Sequence, residues 1–266
     1  MTSVDKELET IDERLSALEQ EKMSLLKLKL KQRLTARERL PAQVEISAQA
    51  PASAREKIAL FGELFRGRQE VHAVRWENKQ GRQGYVLACD NEWRQGICHK
   101  PKVKCGECLH QALQPLDQRA FYEHLSGLRT VGLYPLLPGD DTWLLAPDFD
   151  KFDWEEAVKA LRYACSEWEI PCSVERSRSG DGAHVWLFFE QAIPARLARQ
   201  LGFALLDKAM ERHASLSFHS YDRLFPNQDF LPTGGFGNLI ALPQQRGPRE
   251  SGNTVFIDEA FEPYPD

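Results

Sequence analysis

The chain has 266 residues, enough for one large domain or two small ones. With 42% hydrophobic and 27% charged residues, its composition predicts a sizeable folded core and excludes a disordered chain. A formal net charge of −5 excludes a uniformly basic, DNA-coating protein, although phosphate contacts require only a local basic patch.

No stretch reaches about 18 uninterrupted apolar residues, so no membrane span is expected. The charged N-terminus has no apolar core of a secretory signal, which points to a cytoplasmic protein. Four of the 6 cysteines fall between Cys89 and Cys108, and without export signals that favours metal ligands over disulfides.

Residues 4–34 read as one helix. Val4, Leu8, Ile11, Leu15, Leu18 and Leu25 alternate in steps of four and three, with a break at Lys22. Its first half is acidic and its second half basic, which suits the helix dipole and antiparallel self-pairing. Three readings stay open for it: a solvated helix on its own domain, a homodimer contact, and a basic nucleic-acid arm. Pro41 closes the element, and residues 41–54 are Ala-, Ser- and Pro-rich, as in a linker. The expected organisation is therefore an N-terminal helix over 1–40, a linker over 41–54 and a catalytic domain over 55–266. That domain contains a four-cysteine module over 89–108.

Residues 53–65 form an amphipathic helix with Ile58, Phe61, Leu64 and Phe65 on its apolar side. Residues 71–76 alternate like a strand, and NKQGRQG turns into a second strand over 85–88. Arg66, Arg68, Arg75 and Arg82 form a basic cluster, either a solvated surface or a nucleic-acid contact. Cys89, Cys98, Cys105 and Cys108 follow as C-x8-C-x6-C-x2-C. Two cysteines upstream of a C-x2-C pair suit a closed, structural four-thiolate zinc site, with His99 and His110 as substitutes. Redox use and free thiols remain as alternatives. Lys100, Lys102 and Lys104 make the same loop basic.

A helix is expected over 116–125 with Asp117 as its cap. Residues 131–136 and 143–148 read as two strands joined by the turn PGDD. The second strand ends in Asp148 and Asp150, whose i, i+2 spacing puts both carboxylates on one face, with Phe149 turned into the core. Such a pair suits Mg²⁺ or Mn²⁺, or is simply a polar strand end. Asp153 is placed to cap the helix over 154–169. A strand over 172–176 leads into Ser177, Arg178, Ser179, Gly180 and Gly182, a turn able to offer amides and hydroxyls to phosphate. His184 is the polar end of a stripe with Trp186 and Phe188, as a packed histidine or a working one. A helix over 194–214, acidic candidates Asp222 and Asp229, and a strand over 238–242 complete the pattern. The Pro-rich acidic end lacks a clear cap, as in a piece of a longer polypeptide.

DFD at residues 148–150, SRSGDGAHVWLFF around His184, and SYDRLFPNQD…GGFGNLIALP together resemble the archaeo-eukaryotic primase superfamily. Within it, the chain looks most like the primase–polymerase domain of TOTE conflict systems and CRISPR-associated prim-pols. The segments ALFGELFRGRQEVHAVRWENKQGRQGY, NEWRQGIC and KCGEC resemble that subfamily too. The resemblance implies an α/β (α+β) fold, with an RRM-like catalytic sheet beside a smaller α/β lobe. It implies template-directed nucleotidyl transfer, as a DNA primase or DNA polymerase, on single-stranded or primed DNA with NTPs or dNTPs. Asp148, Asp150 and Asp222, with Asp229 in reserve, would hold two catalytic Mg²⁺ or Mn²⁺ ions. Ser177, Arg178, Ser179, Gly180, Gly182 and His184 would hold the nucleotide's phosphates. Arg223 or Arg246 would supply the basic residue that relatives carry on the last strand. The arginine cluster and the zinc module would steer template. A helicase, nuclease or CRISPR-adaptation partner is the company such domains keep. A metal-dependent nuclease and a non-enzymatic zinc-containing nucleic-acid binder are the rival readings.

Overall fold

The computed structural model describes residues 14, 53–150, 153–212 and 221–265. The chain divides into two compact units, Met1–Ala50 and Pro51–Asp266. Apart from Arg14, the helix expected over 4–34 lies outside the described residues, as does nearly all of the 41–54 linker.

The second unit begins with α1 (Ala54–Leu64), held by a reciprocal cap. Ser53 Oγ accepts from Glu56 N at 3.2 Å, and Glu56 Oε2 accepts from Ser53 N at 3.0 Å. A hairpin of β1 (Ala73–Glu77) and β2 (Gln83–Leu87) follows, registered Glu77↔Gln83. The Cys-rich segment contains one 3-10 turn, Cys105–Glu107. Then come α2 (Gln118–Leu125), capped by Asp117, and β3 (Val131–Leu133). With β8 (Ile240–Ala241) these strands form a sheet ordered β2-β1-β3-β8.

The larger sheet is built by β4 (Asp141–Asp150), α3 (Trp154–Glu167), β5 (Ser173–Arg176), β6 (Gly182–Pro194), α4 (Ala195–Arg212) and β7 (Tyr221–Phe225). Its order, β7-β4-β6-β5-β9, interleaves the strands of a β-α-β-β-α-β unit and adds β9 (Phe256–Ile257) at one edge. A short helix, α5 (Arg246–Arg249), precedes β9.

Strand alternation gives this sheet two apolar faces. Leu145, Phe149, Val185 and Leu187 pack against Val158, Leu161 and Ala164 of α3 and Leu205 of α4. Leu144, Ala146 and Trp186 turn the other way, onto Phe61 and Phe65 of α1, Phe121 of α2 and Val131 and Leu133 of β3. Phe65 meets Trp186 edge-on, with ring centroids 5.0 Å apart. The carboxylate strand is thus pinned from both sides.

The two strands expected on either side of PGDD both form, but they do not pair with each other: β3 pairs with β1 and β8, while β4 pairs with β6 and β7. The turn itself forms, with Leu137 N donating to Asp141 O at 2.8 Å, but burial sends the flanking strands to different sheets. Asp153 occupies the N-cap position of α3 at φ 66°, in the left-handed region, and its side chain makes no capping bond.

His124 of α2 ties together the backbones of β3 and of the segment that follows β8, in the smaller sheet. Its Nδ1 accepts from Val131 N at 3.0 Å and its Nε2 donates to Pro243 O at 2.8 Å. Both bonds need the neutral ring, and burial pushes its pKa down from 6.5 to about 4. The unfolded chain therefore binds the extra proton first. This contribution is complete above pH 6.5 and is lost as pH falls toward and through about 4, by at most about 3 kcal/mol. His124→Gln is expected to flatten the fall of stability over that window by roughly one proton's worth, measured by urea unfolding at several pH values. An unchanged slope would contradict this role.

Candidate active site

One row of side chains crosses four strands of the larger sheet. Glu175 on β5 faces His184 on β6, His184 faces Asp148 on β4, and Asp148 faces Arg223 on β7. Asp150, two residues further along β4, stands opposite Gly182. A Cβ at Gly182 would lie 2.3 Å from Phe149 O and 2.7 Å from Asp150 Oδ1, so only glycine fits beside that carboxylate.

Asp222 joins them through a bulge. Asp148 pairs with Arg223 and Phe149 with Tyr221, which leaves Asp222 as the extra residue on β7. A bulge re-aims its side chain, and here the carboxylate comes to the cluster. Ligand oxygens of Asp148, Asp150 and Asp222 all lie within 4.8 Å of one another. Asp229 is elsewhere, paired with Arg199 at 2.6 Å.

The electrostatics of the row follow from burial. Asp148 is 9% exposed. Desolvation, helped by Asp150 and Asp222, raises its pKa to about 6 against the opposing pull of His184 and Arg223. His184 is desolvated too, which alone would lower its pKa, but Glu175, Asp148 and Asp150 raise it to about 9. Its Nδ1 lies 2.8 Å from Glu175 Oε2 and its Nε2 3.4 Å from Asp148 Oδ1. Glu175 is 2% exposed and also accepts from Trp186 Nε1 at 3.0 Å. A cation among three clustered carboxylates would relieve their repulsion, and an all-oxygen set suits Mg²⁺ or Mn²⁺.

The glycine turn lies at the end of this row. Ser177 N donates to Gly182 O at 2.8 Å, and the Ser177 and Ser179 hydroxyls are 3.1 Å apart. Gly180 closes the turn at φ 87°. Arg178 reaches out of it to Thr130 Oγ1 at 3.3 Å and lies near Arg75 of the hairpin. Asn253 Nδ2 donates to Arg178 O at 3.3 Å. A cleft of ≈ 860 Å³ opens beside the cluster, lined by Asp150, Asp153, Trp154, Glu155, Ser179 and Asp181. A polyphosphate entering so acidic a mouth needs accompanying cations.

The basic candidates disperse. Arg223 belongs to the row and pairs with Asp222. Arg246 points to Glu250 at 3.0 Å. Arg66 lies over Trp143, with its guanidinium 4.4 Å from the ring centroid. Arg68 pairs with Glu70, Arg75 with Glu77 at 2.9 Å and Lys100 with Glu92 at 2.7 Å. Arg82, Lys102 and Lys104 are exposed.

Cys89, Cys98, Cys105 and Cys108, with His99 and His110, line one cavity of ≈ 20 Å³. Backbone N–H groups of Ala112 and His110 donate to the sulfurs of Cys89 and Cys108, each at 3.4 Å. Among the described residues, the donors that close to within 4.8 Å of one another are the three aspartates and not these thiols. Thiols and imidazoles around one small cavity nonetheless form a donor set that zinc takes.

Sequence reasoning misses Glu175 and Asn253. A lone acid between Val174 and Arg176 is a signal for Glu175, because a buried carboxylate in a strand needs a partner. Nothing in the local pattern marks Asn253.

The family model described as "TOTE conflict system, Archaeo-Eukaryotic Primase domain" matches residues 56–266. No curated protein matches the chain. Among solved structures, the polymerase domain of Mycobacterium tuberculosis ligase D in complex with DNA matches at 15% identity with a TM-score of 0.37. The match covers 61% of this chain and 63% of that one, under two thirds of its length.

Proposed function

The chain belongs to the archaeo-eukaryotic primase family of TOTE conflict systems, and from that membership we propose that it performs template-directed nucleotidyl transfer as a DNA primase or polymerase. The single observation that carries the reading is the cluster of Asp148, Asp150 and Asp222 within 4.8 Å. Its substrates are a single-stranded or primed DNA template and nucleoside triphosphates.

Asp148, Asp150 and Asp222 would hold two Mg²⁺ or Mn²⁺ ions. Such ions lower the pKa of an attacking hydroxyl and stabilise charge on the transferring phosphoryl group. Cationic His184, held by Glu175, presents Nε2 beside the cluster as a donor to the triphosphate. Ser177, Ser179, Arg178 and the amides around Gly180 and Gly182 take the remaining phosphate oxygens. Arg223, in the row, is the better placed basic residue, and Arg246 the reserve. Arg66, Arg68, Arg75, Arg82, Lys100, Lys102 and Lys104 are assigned to template or primer.

The four cysteines would hold one structural zinc ion, with no open position for catalysis. Metal analysis should find about one zinc per chain. Cys105→Ser with Cys108→Ser should lower the unfolding midpoint by about 10 °C, as roughly 3 kcal/mol would in a domain of this size. An unchanged midpoint in a zinc-free protein would contradict the assignment.

Nucleotide binding separates synthesis from a nuclease working with the same acids. Calorimetric titration with a non-hydrolysable triphosphate and Mn²⁺ should give saturable binding that His184→Ala weakens about tenfold or more. Phosphodiester cleavage without triphosphate binding would overturn the proposal.

A further inference from the structure

Strand alternation leaves one face of the β1–β2 hairpin outside the core clusters of the described residues. Ala73, Tyr85 and Leu87 turn inward and pack with Val71 and Tyr134. Val74, Trp76 and Val86 turn outward and belong to none of the core clusters of described residues. They line a groove of ≈ 620 Å³ together with Trp93 and Lys100 of the Cys-rich segment and Arg129, which precedes β3.

Two indoles stand open in this groove. Trp76 is 42% exposed and Trp93 67%. Neither is a loose side chain. Trp76 lies across Gly84, where an added Cβ would stand 3.1 Å from its Nε1, so the hairpin is cut to hold the ring flat. Trp93 sits at φ 58°, a left-handed conformation that bulky residues seldom adopt. Lys100 Nζ hangs 5.7 Å from its ring centroid while pairing with Glu92. Arg129 is held by Glu123 at 3.2 Å. Each cation has more N–H donors than these partners consume. Arg82 of the hairpin turn and Arg94, Lys102 and Lys104 of the Cys-rich segment are exposed.

Flat exposed rings interleaved with cations on a shallow apolar floor are what successive bases and phosphates require. We propose that this groove binds single-stranded nucleic acid, with Trp76 and Trp93 as stacking platforms and Lys100 and Arg129 as phosphate contacts. The site deepens, and rests on, the reading of the chain as a template-directed polymerase, and it places the template strand. Arg75, next to Trp76 on β1, also lines the groove and lies near Arg178 of the glycine turn.

The test is the affinity of the full chain for fluorescein-labelled oligothymidylate, by anisotropy without nucleotide. Trp76→Ala and Trp93→Ala are each expected to weaken binding about tenfold, and Phe at either position to restore part of it. Unfolding midpoints and triphosphate binding should stay as in the parent. A parent protein that does not bind the oligonucleotide, or a double Ala variant that binds it as well as the parent, would overturn the groove. Wild-type affinity in the double Ala variant with synthesis intact removes the groove and leaves the polymerase reading standing. Tryptophan-dependent binding by a chain that takes no triphosphate does the reverse.

Discussion

Replacing Asp148 and Asp150 together by Asn is expected to lower nucleotide incorporation by at least about 10³-fold without unfolding the protein. Asn keeps the volume and removes the charge. Two of the three clustered carboxylates then cannot anchor a divalent ion, and Asp222, on its bulge and paired with Arg223, is too little by itself. Losing ion-based stabilisation of the transferring phosphoryl group removes several kcal/mol from the transition state, and about 4 kcal/mol already makes 10³-fold. The folded state should gain or hold its ground, because Asp148 is buried beside like charges. Incorporation of labelled nucleotide on primed DNA and a thermal melt read the two effects separately. Synthesis at the parent rate, or a collapsed melt, would contradict the account.

The second large effect belongs to Glu175. It is almost fully buried and bonded to both His184 and the Trp186 indole. On the proposed reading, its role is to position His184 and keep it cationic. Glu175→Gln retains the shape and a bond to one partner while removing the charge. Its expected signature is a KM for nucleotide raised about 10- to 100-fold, with kcat falling less. Glu175→Ala strands a buried histidine and an indole N–H, and should cost about 3–5 kcal/mol of stability. A merely structural glutamate would show the stability loss in the Glu175→Ala variant without the KM effect in Glu175→Gln. Equal nucleotide KM values for the Glu175→Gln enzyme and the parent would therefore sink the positioning role.

How far the sequence reveals this site depends on distance along the chain. Asp148 and Asp150 are legible because an i, i+2 pair at the end of an apolar strand needs only strand periodicity. The glycine turn and His184 are legible for the same reason, as turn chemistry followed by alternation. Glu175 and Asp222 reach the cluster by other means. Glu175 meets His184 only through the β5–β6 register. Asp222 arrives through a bulge in YDRLF, and the same extra residue breaks the alternation that would have marked β7 as a strand. PGDD is a turn, as its residues predict, but the strands it joins lie in different sheets, because turn residues fix local direction while burial chooses the sheet. Asp153 fits the sequence signature of a cap, yet its left-handed backbone aims the side chain away. The outward face of β1–β2 reads in the sequence only as strand alternation. What exposes Trp76 there is the lack of any described element packed over it, which no local pattern encodes.

The most direct test of the central claim offers the protein a primed homopolymeric single-stranded template with Mn²⁺ and each of the four nucleotides in turn. The account predicts that only the complementary nucleotide is incorporated, and that incorporation disappears with Asp148→Asn/Asp150→Asn. Incorporation indifferent to the template, or a template shortened by the parent and spared by that variant, would contradict it.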